Sequence, residues 1–434
     1  MATASKGRAT GAGGPLPSSV ARGTAERPLR VALFSGNYNY VKDGVALTLD
    51  RLVRYLERAG VPVLIFSPVG EAPAFDSAGE VVPVPSIAIP SRSEYRLSLG
   101  LPRRARARLE AFQPTLFHLT APDLLGYRAL RLAHAWNLPV VASYHTRFDT
   151  YLQFYGLGLL EWPLRRYLRH FYGQCHQVYP PSESMAELLR DEGIAGNVRV
   201  WSRGVDADRF GPARRSPAWR RSLGIADDVV VVAFVGRLVK EKNTALLVRI
   251  FAAMAAQGIR FCPMIVGDGP EHAALQAALP EAIFTGFLHD EDLARAYASA
   301  DVFLFPSESE TFGNVTLEAM ASGLPAVCAD ASGSRSLVVE GKTGYLASAG
   351  SVAAFVDRLA PLVADGALRA RFGAAGRERA LEFGWDGILG QLHASYLEVL
   401  DACGSPLEVG TSVPEPRPIH RPGRLILTGN AVRP

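Results

Sequence analysis

The chain has 434 residues, 48% hydrophobic and 20% charged, which is too long for one ordinary core and too apolar to stay disordered, so two globular domains are expected. Its net charge of +4, from 46 basic and 42 acidic residues, is no electrostatic signature of a nucleic-acid partner. Cys175, Cys262, Cys328 and Cys403 follow no disulfide or metal-ligand spacing, and with no signal core and no apolar run of about 18 residues a cytoplasmic protein is expected.

VALFSG (31–36) reads as a buried strand, and Leu49, Leu52, Val53 and Leu56 then recur at helical spacing before Gly60 ends the helix. VPVLIFS follows as a strand, then TLFHLT, a helix near 122–136, PVVASYHT, a basic helical stretch near 158–172, and QVYPP. A helix opening at Ser184, with Glu187 three residues on, leads to a last strand at VRVWS. A Pro/Arg-rich joint near 211–221 precedes a second series: VVVVAFVGRL, an Ala-rich helix, FCPMIVG, a helix, AIFTGF, a helix, DVFLFPS, a helix from about 314, and PAVCAD. The strands are continuous apolar runs, as parallel sheets covered on both faces require. Ligands of such sheets gather in the loops beyond the carboxyl ends of the strands.

PSESETFGNVTLEAMASGLP (306–325) carries the densest chemistry. A polar loop containing Glu310 follows strand DVFLFPS, and Gly313-Asn314 opens a helix whose first N–H groups, unpaired within it, suit a phosphate or sugar oxygen. Glu318 lies one turn on, on the face of Asn314. The two carboxylates can hold sugar hydroxyls and a ribose with an anion between them; two solvated glutamates around an ordinary helix are the alternative. In VGRLVKEKN (235–243), a strand ends at Val235-Gly236 and sets Arg237 and Lys242 where a diphosphate would sit, while Lys240 reads as a solvated charge.

VGDGP (266–270) is a glycine turn at a strand end, fit for a ligand or simply for a tight turn. The loop FSGNYNYVKDGVA (34–46) presents Asp43-Gly44 from the other half and lacks the GxGxxG pattern of NAD enzymes. SYHTRFDTY (143–151) puts His145 at another strand end, where it can contact a sugar or acceptor or simply be structural; Asp206 and Asp208 resemble a metal-binding pair, but turn formation explains them as well and no metal is assigned. Arg103, Arg104, Arg106 and Arg108, then Arg165, Arg166 and Arg169, accompany Trp162, Tyr167, Phe171 and Tyr172. That is either a surface for anionic lipid or a solvated basic face over an ordinary core.

Together these residues resemble retaining glycosyltransferase family 4 over about residues 30–402: Glu310 and Glu318 eight apart, GR-x-x-x-E-K around Arg237 and Lys242, VGDGP, RGVD (203–206) and His145. The resemblance implies an α/β GT-B fold, with two facing Rossmann-like domains, parallel sheets and a cleft between them. The chain would then divide into a disordered tail (1–28), an acceptor-side domain (29–212), a nucleotide-sugar-binding domain (213–382), a helix crossing back (383–402) and a loose tail (403–434). It implies that Glu318 holds the ribose, Arg237 and Lys242 the diphosphate, and Glu310 the donor sugar, with His145 facing that sugar. Gly44, Gly236, Gly267, Phe312, Gly313, Asn314 and Val315 would complete the donor site. Transfer would proceed with retention and without metal or cofactor, the leaving phosphate taking the acceptor proton.

NYNYVKDG, SEYRLSLGLP and SGSRSLV are similar to the group containing sulfoquinovosyl-diacylglycerol synthases and bacterial glycolipid enzymes. That similarity implies a hexose or uronic acid moved from a UDP-sugar to a membrane lipid such as diacylglycerol, by a bacterial enzyme peripheral on the inner face of the cytoplasmic membrane. Many relatives carry Gly-Gly in the first loop, where this chain has Asp43-Gly44. A soluble or polysaccharide acceptor, a nucleotide-sugar epimerase and a nucleotide-sugar-binding protein without turnover are the alternatives.

Overall fold

A computed structural model of the protein describes residues 28–89, 92–145 and 161–403. The expected tails over 1–27 and 404–434, and the start of the basic helical stretch at 158–160, lie outside them. Two six-stranded, wholly parallel sheets form the frame. In the first, β1 (Val31–Phe34) lies between β2 (Val63–Ser67) and β6 (Leu116–Leu119), followed outward by β3 (Glu80–Pro83) on one side and β7 (Val140–Ser143) and β8 (Gln177–Tyr179) on the other. In the second, β9 (Val231–Val235) lies between β10 (Cys262–Val266) and β12 (Val302–Phe305), flanked by β11 (Ile283–Gly286) and by β13 (Ala326–Ala329) with β14 (Gly344–Ala347).

The continuous apolar runs have a direct cause in β1. Val31 and Leu33 enter one core, while Ala32 and Phe34 enter another on the opposite face, so neither set of alternate residues meets water. Helix Gly44–Arg58 supplies Leu49, Leu52, Val53 and Leu56 to the first of these cores, and its start is capped by Asp43, whose carboxylate accepts from the Val45 and Ala46 N–H groups. The same core receives Leu389, Leu392, Tyr396 and Val399 from the last helix, Trp385–Ala402. The chain therefore returns from the second sheet to finish the first domain's core. The hydroxyl of buried Tyr396 shares a hydrogen bond with His118 Nδ1 on β6 at 2.6 Å.

Several sequence expectations are corrected. The helix expected to open at Ser184 spans Glu183–Asp191 and is capped by Ser182, which accepts from the Met185 N–H; Ser184 is thereby released for a different contact. VRVWS forms no strand: only Val198 makes a single bridge, to Val178. The Pro/Arg-rich joint contains a short helix, Pro217–Ser222, whose Arg220 is buried and paired to Asp301 at 2.8 Å. Sequence reading also passed over β3, β14 and an antiparallel ribbon of β4 (Ser86–Ile89) and β5 (Arg92–Ser98), because these short segments lack a long apolar run.

Candidate active site

The donor-side residues expected from sequence follow the carboxyl ends of neighbouring strands β9 and β12. After β9 the backbone turns through Gly236, with Arg237 exposed and in no ion pair among the described residues. Lys242 then ends a 3-10 turn, Lys240–Lys242, and its ammonium group hydrogen-bonds to Glu310 Oε1 from the loop after β12. Both side chains of this pair are partly buried, at 22% and 18% exposure, so the charges remain within reach of a ligand. The Glu310 loop is itself held, because its carbonyl accepts from the Gly333 N–H at 3.0 Å and the Ser332 hydroxyl at 3.1 Å.

Helix Asn314–Ala321 begins at Gly313, whose φ of +100° places it in the left-handed region that glycine tolerates. Glu318 sits one turn in and accepts from the Tyr297 hydroxyl at 3.0 Å. Burial raises the Glu318 carboxyl to about 7; the Tyr297 hydrogen bond and the charges of Arg51 and Arg209 oppose the rise without cancelling it. Phe312 and Val315 contribute their side chains to the second core, so only their backbones can serve a donor. A Cβ on Gly267 would lie 2.0 Å from the Gly236 carbonyl oxygen, so close backbone packing already explains that glycine.

The first domain closes on this region through specific bonds. Thr311 Oγ1 donates to the His145 carbonyl at 3.1 Å, Ser182 Oγ donates to the Thr311 carbonyl at 2.9 Å, and Ser184 Oγ bonds the Ser332 carbonyl. A Cβ on Gly44 would be 3.3 Å from Asn314 Nδ2, so Gly44 faces the start of the donor-side helix. His145 and Glu310 thus stand on either side of one seam, linked through Thr311.

The His145 ring has a defined proton. Arg203, buried and held by its bond to the Trp201 carbonyl, donates from Nη2 to His145 Nδ1 at 2.6 Å. A guanidinium has no acceptor, so Nδ1 must accept and the neutral ring carries its hydrogen on Nε2. Burial, reinforced by the Arg203 charge, holds the imidazole well below its usual range and therefore neutral. Its Nε2 is buried without a hydrogen-bond partner among the described residues, as is Asn314 Oδ1 from the facing domain. Buried polar groups are rarely left unpaired, and this donor and acceptor point to a polar ligand between the domains. A ring so set donates a hydrogen bond at Nε2; it does not remove a proton there.

Sequence reasoning missed Arg203 as a site residue, along with Tyr297 and Arg51. Only Arg203 had a signal, its place in RGVD. Asp206, of the same motif, accepts from the Arg209 N–H at 3.0 Å as a turn former does.

The basic aromatic surface is also revised. Arg106 pairs with Glu110, Arg108 with Glu80, and Arg165 with Glu161 and Glu192, while Arg169 donates to the Glu192 carbonyl. Phe171 and Tyr172 are core residues and the Tyr167 hydroxyl donates to the Pro122 carbonyl, leaving Trp162 exposed. Helical spacing set those three rings on the inward face of helix Glu161–Tyr172. Arg103, Arg104 and Arg166 stay exposed and in no ion pair among the described residues.

Two family models divide the chain between them: Glycosyltransferase Family 4 matches residues 42–209 and Glycosyl transferases group 1 matches residues 215–379. A GDP-mannose-dependent alpha-mannosyltransferase of Mycobacterium tuberculosis is 35% identical over 376 residues, covering 85% of this chain and 96% of its own. The chain belongs to glycosyltransferase family 4. A sulfoquinovosyl transferase of Arabidopsis thaliana is 33% identical to this glycosyltransferase, over 83% of this chain and 71% of its own. Among solved structures, a sucrose-phosphate synthase from Thermosynechococcus elongatus superposes with a TM-score of 0.72 at 22% identity, covering 86% of this chain and 100% of that one. The glycosyltransferase has the GT-B architecture, two facing parallel-sheet domains.

Proposed function

We propose that this glycosyltransferase moves a hexose from a nucleotide-diphosphate sugar to a membrane-lipid acceptor such as a diacylglycerol, with retention at the anomeric carbon and no required metal. The observation that carries the reading is the meeting, at one interdomain seam, of the Lys242–Glu310 pair with the unengaged Nε2 of His145. Arg237 and Lys242 supply fixed positive charge where the leaving diphosphate becomes more negative. Glu318 receives ribose hydroxyls, Glu310 receives those of the sugar, and His145 donates to a sugar oxygen.

In the step itself the bond from the anomeric carbon to the β-phosphate oxygen breaks, and the acceptor hydroxyl oxygen bonds to the same face of that carbon. The acceptor proton passes to the departing phosphate, which leaves as a nucleoside diphosphate. No protein base is needed, in keeping with a His145 that is protonated on Nε2 and a Glu310 engaged by Lys242. GDP-mannose is favoured over the UDP-sugar expected from sequence, because the mannosyltransferase named for that donor aligns with most of this chain.

The test is incubation of the pure protein with GDP-mannose and a panel of UDP-sugars, with diacylglycerol and glycosylated diacylglycerol in vesicles, read by mass spectrometry of the lipids. A hexosylated lipid formed by the wild type and absent with Glu310→Gln is expected. Transfer to soluble sugars alone would remove the lipid acceptor, and donor isomerisation without transfer would make the protein an epimerase.

A further inference from the structure

The ribbon of β4 and β5 is built inside out. Its buried and hydrogen-bonded contacts with the domain are polar: Ser98 is fully buried and donates to Asp123 at 3.0 Å, and the Tyr95 hydroxyl donates to Asp43 at 3.2 Å. The Arg96 N–H donates to the Tyr40 hydroxyl at 3.1 Å. Its apolar side chains point the other way. Ile87 and Leu97 are direct cross-strand partners, 52% and 46% exposed, and Leu99 just beyond β5 is 50% exposed. Leu124, 43% exposed, lies beside Gly100 and extends the face. Single exposed leucines are ordinary, but a contiguous apolar face marks an interaction site. An isolated two-stranded ribbon is marginal in water, and this one spends its polar groups on attachment and offers its apolar groups to whatever lies outside.

The surrounding charge identifies that phase. Arg128 has its Cγ 3.6 Å from the Cβ position of Gly100, and Arg103 and Arg104 follow three and four residues after that glycine. All three are exposed and in no ion pair among the described residues. Glu94, the exposed carboxylate on β5, is engaged in an interaction of its own. Apolar side chains flanked at the Gly100 end by guanidinium groups that are in no ion pair among the described residues match the acyl boundary and the headgroups of an anionic leaflet.

We propose that the β4–β5 ribbon is the element by which the enzyme docks on an anionic lipid bilayer, its leucine and isoleucine side chains entering the leaflet and Arg103, Arg104 and Arg128 contacting the headgroups. The position of the ribbon fits this task. Tyr95 reaches Asp43, the cap of the helix whose first residue, Gly44, faces Asn314 across the seam. A bilayer held there lies beside the first-domain side of the cleft, where a lipid hydroxyl must enter. The inference rests on the lipid-acceptor reading and gives that acceptor a route.

The experiment is vesicle co-sedimentation of the full chain with phosphatidylcholine vesicles and with vesicles containing phosphatidylglycerol, without donor. The combined variant Ile87→Ser, Leu97→Ser, Leu99→Ser is expected to keep the wild-type Tm, since those side chains are outside the core, and to bind roughly a hundredfold more weakly. Arg103→Glu with Arg104→Glu is expected to lose the preference for phosphatidylglycerol and its salt dependence. Wild-type binding by the serine variant, or no binding of the wild type to phosphatidylglycerol, overturns the proposal. So does self-association of the wild type that the serine variant abolishes, which would make the face a contact between copies. Lipid transfer in detergent micelles is measured in parallel: docking without transfer defeats the acceptor reading alone, and transfer without ribbon-dependent docking defeats this inference alone.

Discussion

Glu318→Gln separates the carboxylate's cost to stability from its use in binding. The folded protein holds the Glu318 proton up to about pH 7, against an ordinary value of 4.5, because of burial. A folded-state pKa raised in this way means that the native chain binds the proton more tightly than the unfolded one. The associated stability is fully present below pH 4.5 and is lost as the pH rises through 7. At about 1.4 kcal/mol per pKa unit the whole effect is about 3.5 kcal/mol, and about 2.5 kcal/mol of it falls between pH 5 and pH 8. Both are upper bounds, since Glu318 as a residue is only partly buried. Glutamine is neutral and nearly the same shape, so the variant escapes this loss.

The assay is thermal melting of both proteins from pH 5 to pH 8 at constant ionic strength. Using the difference between them cancels the opposite contribution of His118, whose burial lowers its pKa to about 3 and whose stabilisation is therefore lost as pH falls below 6.5. Glu318→Gln should gain on the wild type by roughly 5–10 °C across the range, at about 2–4 °C per kcal/mol for a domain of this size, while losing the stabilisation that added nucleotide gives the wild type. Melting curves that stay parallel across the range would refute the assignment of a buried, proton-retaining Glu318.

Three further predictions follow from single contacts. Glu310→Gln should abolish most transfer while changing stability by less than about 1 kcal/mol, because its pair with Lys242 is partly solvated; wild-type turnover in the variant would contradict the site. Arg203→Met removes the donor to His145 Nδ1, so the ring should become a mixture of tautomers in imidazole nitrogen NMR, with kcat down about tenfold or more. An unchanged spectrum would show that Arg203 does not set the proton. Gly267→Ala should lower stability by about 2–4 kcal/mol, since its Cβ would meet the Gly236 carbonyl at 2.0 Å with φ at +137°; a melting temperature equal to the wild type would refute that packing.

Most strands of the two sheets were legible because a parallel strand covered on both faces writes itself as an unbroken apolar run, as VALF and VFLF do. The position of Glu310, Arg237 and Lys242 in strand-end loops was legible because loops beyond such strands are where this fold collects polar groups. The ribbon was not, since Ile87 and Leu97 acquire their meaning only once paired and left facing outward. Nor was the ending of helix Glu161–Tyr172 in the core, which needed a sheet to pack against before Phe171 and Tyr172 could be told from interfacial rings.

By itself the sequence determined two β/α domains, the family, and which loops carry charge, because periodicity and strand-end punctuation are local properties of the chain. Tertiary structure alone decided that Arg203 sets the His145 proton 58 residues away, that Ser184 crosses to Ser332, and that Ile87, Leu97, Leu99 and Leu124 stay about half exposed. Those facts depend on distances between segments remote in sequence, which local propensity does not encode.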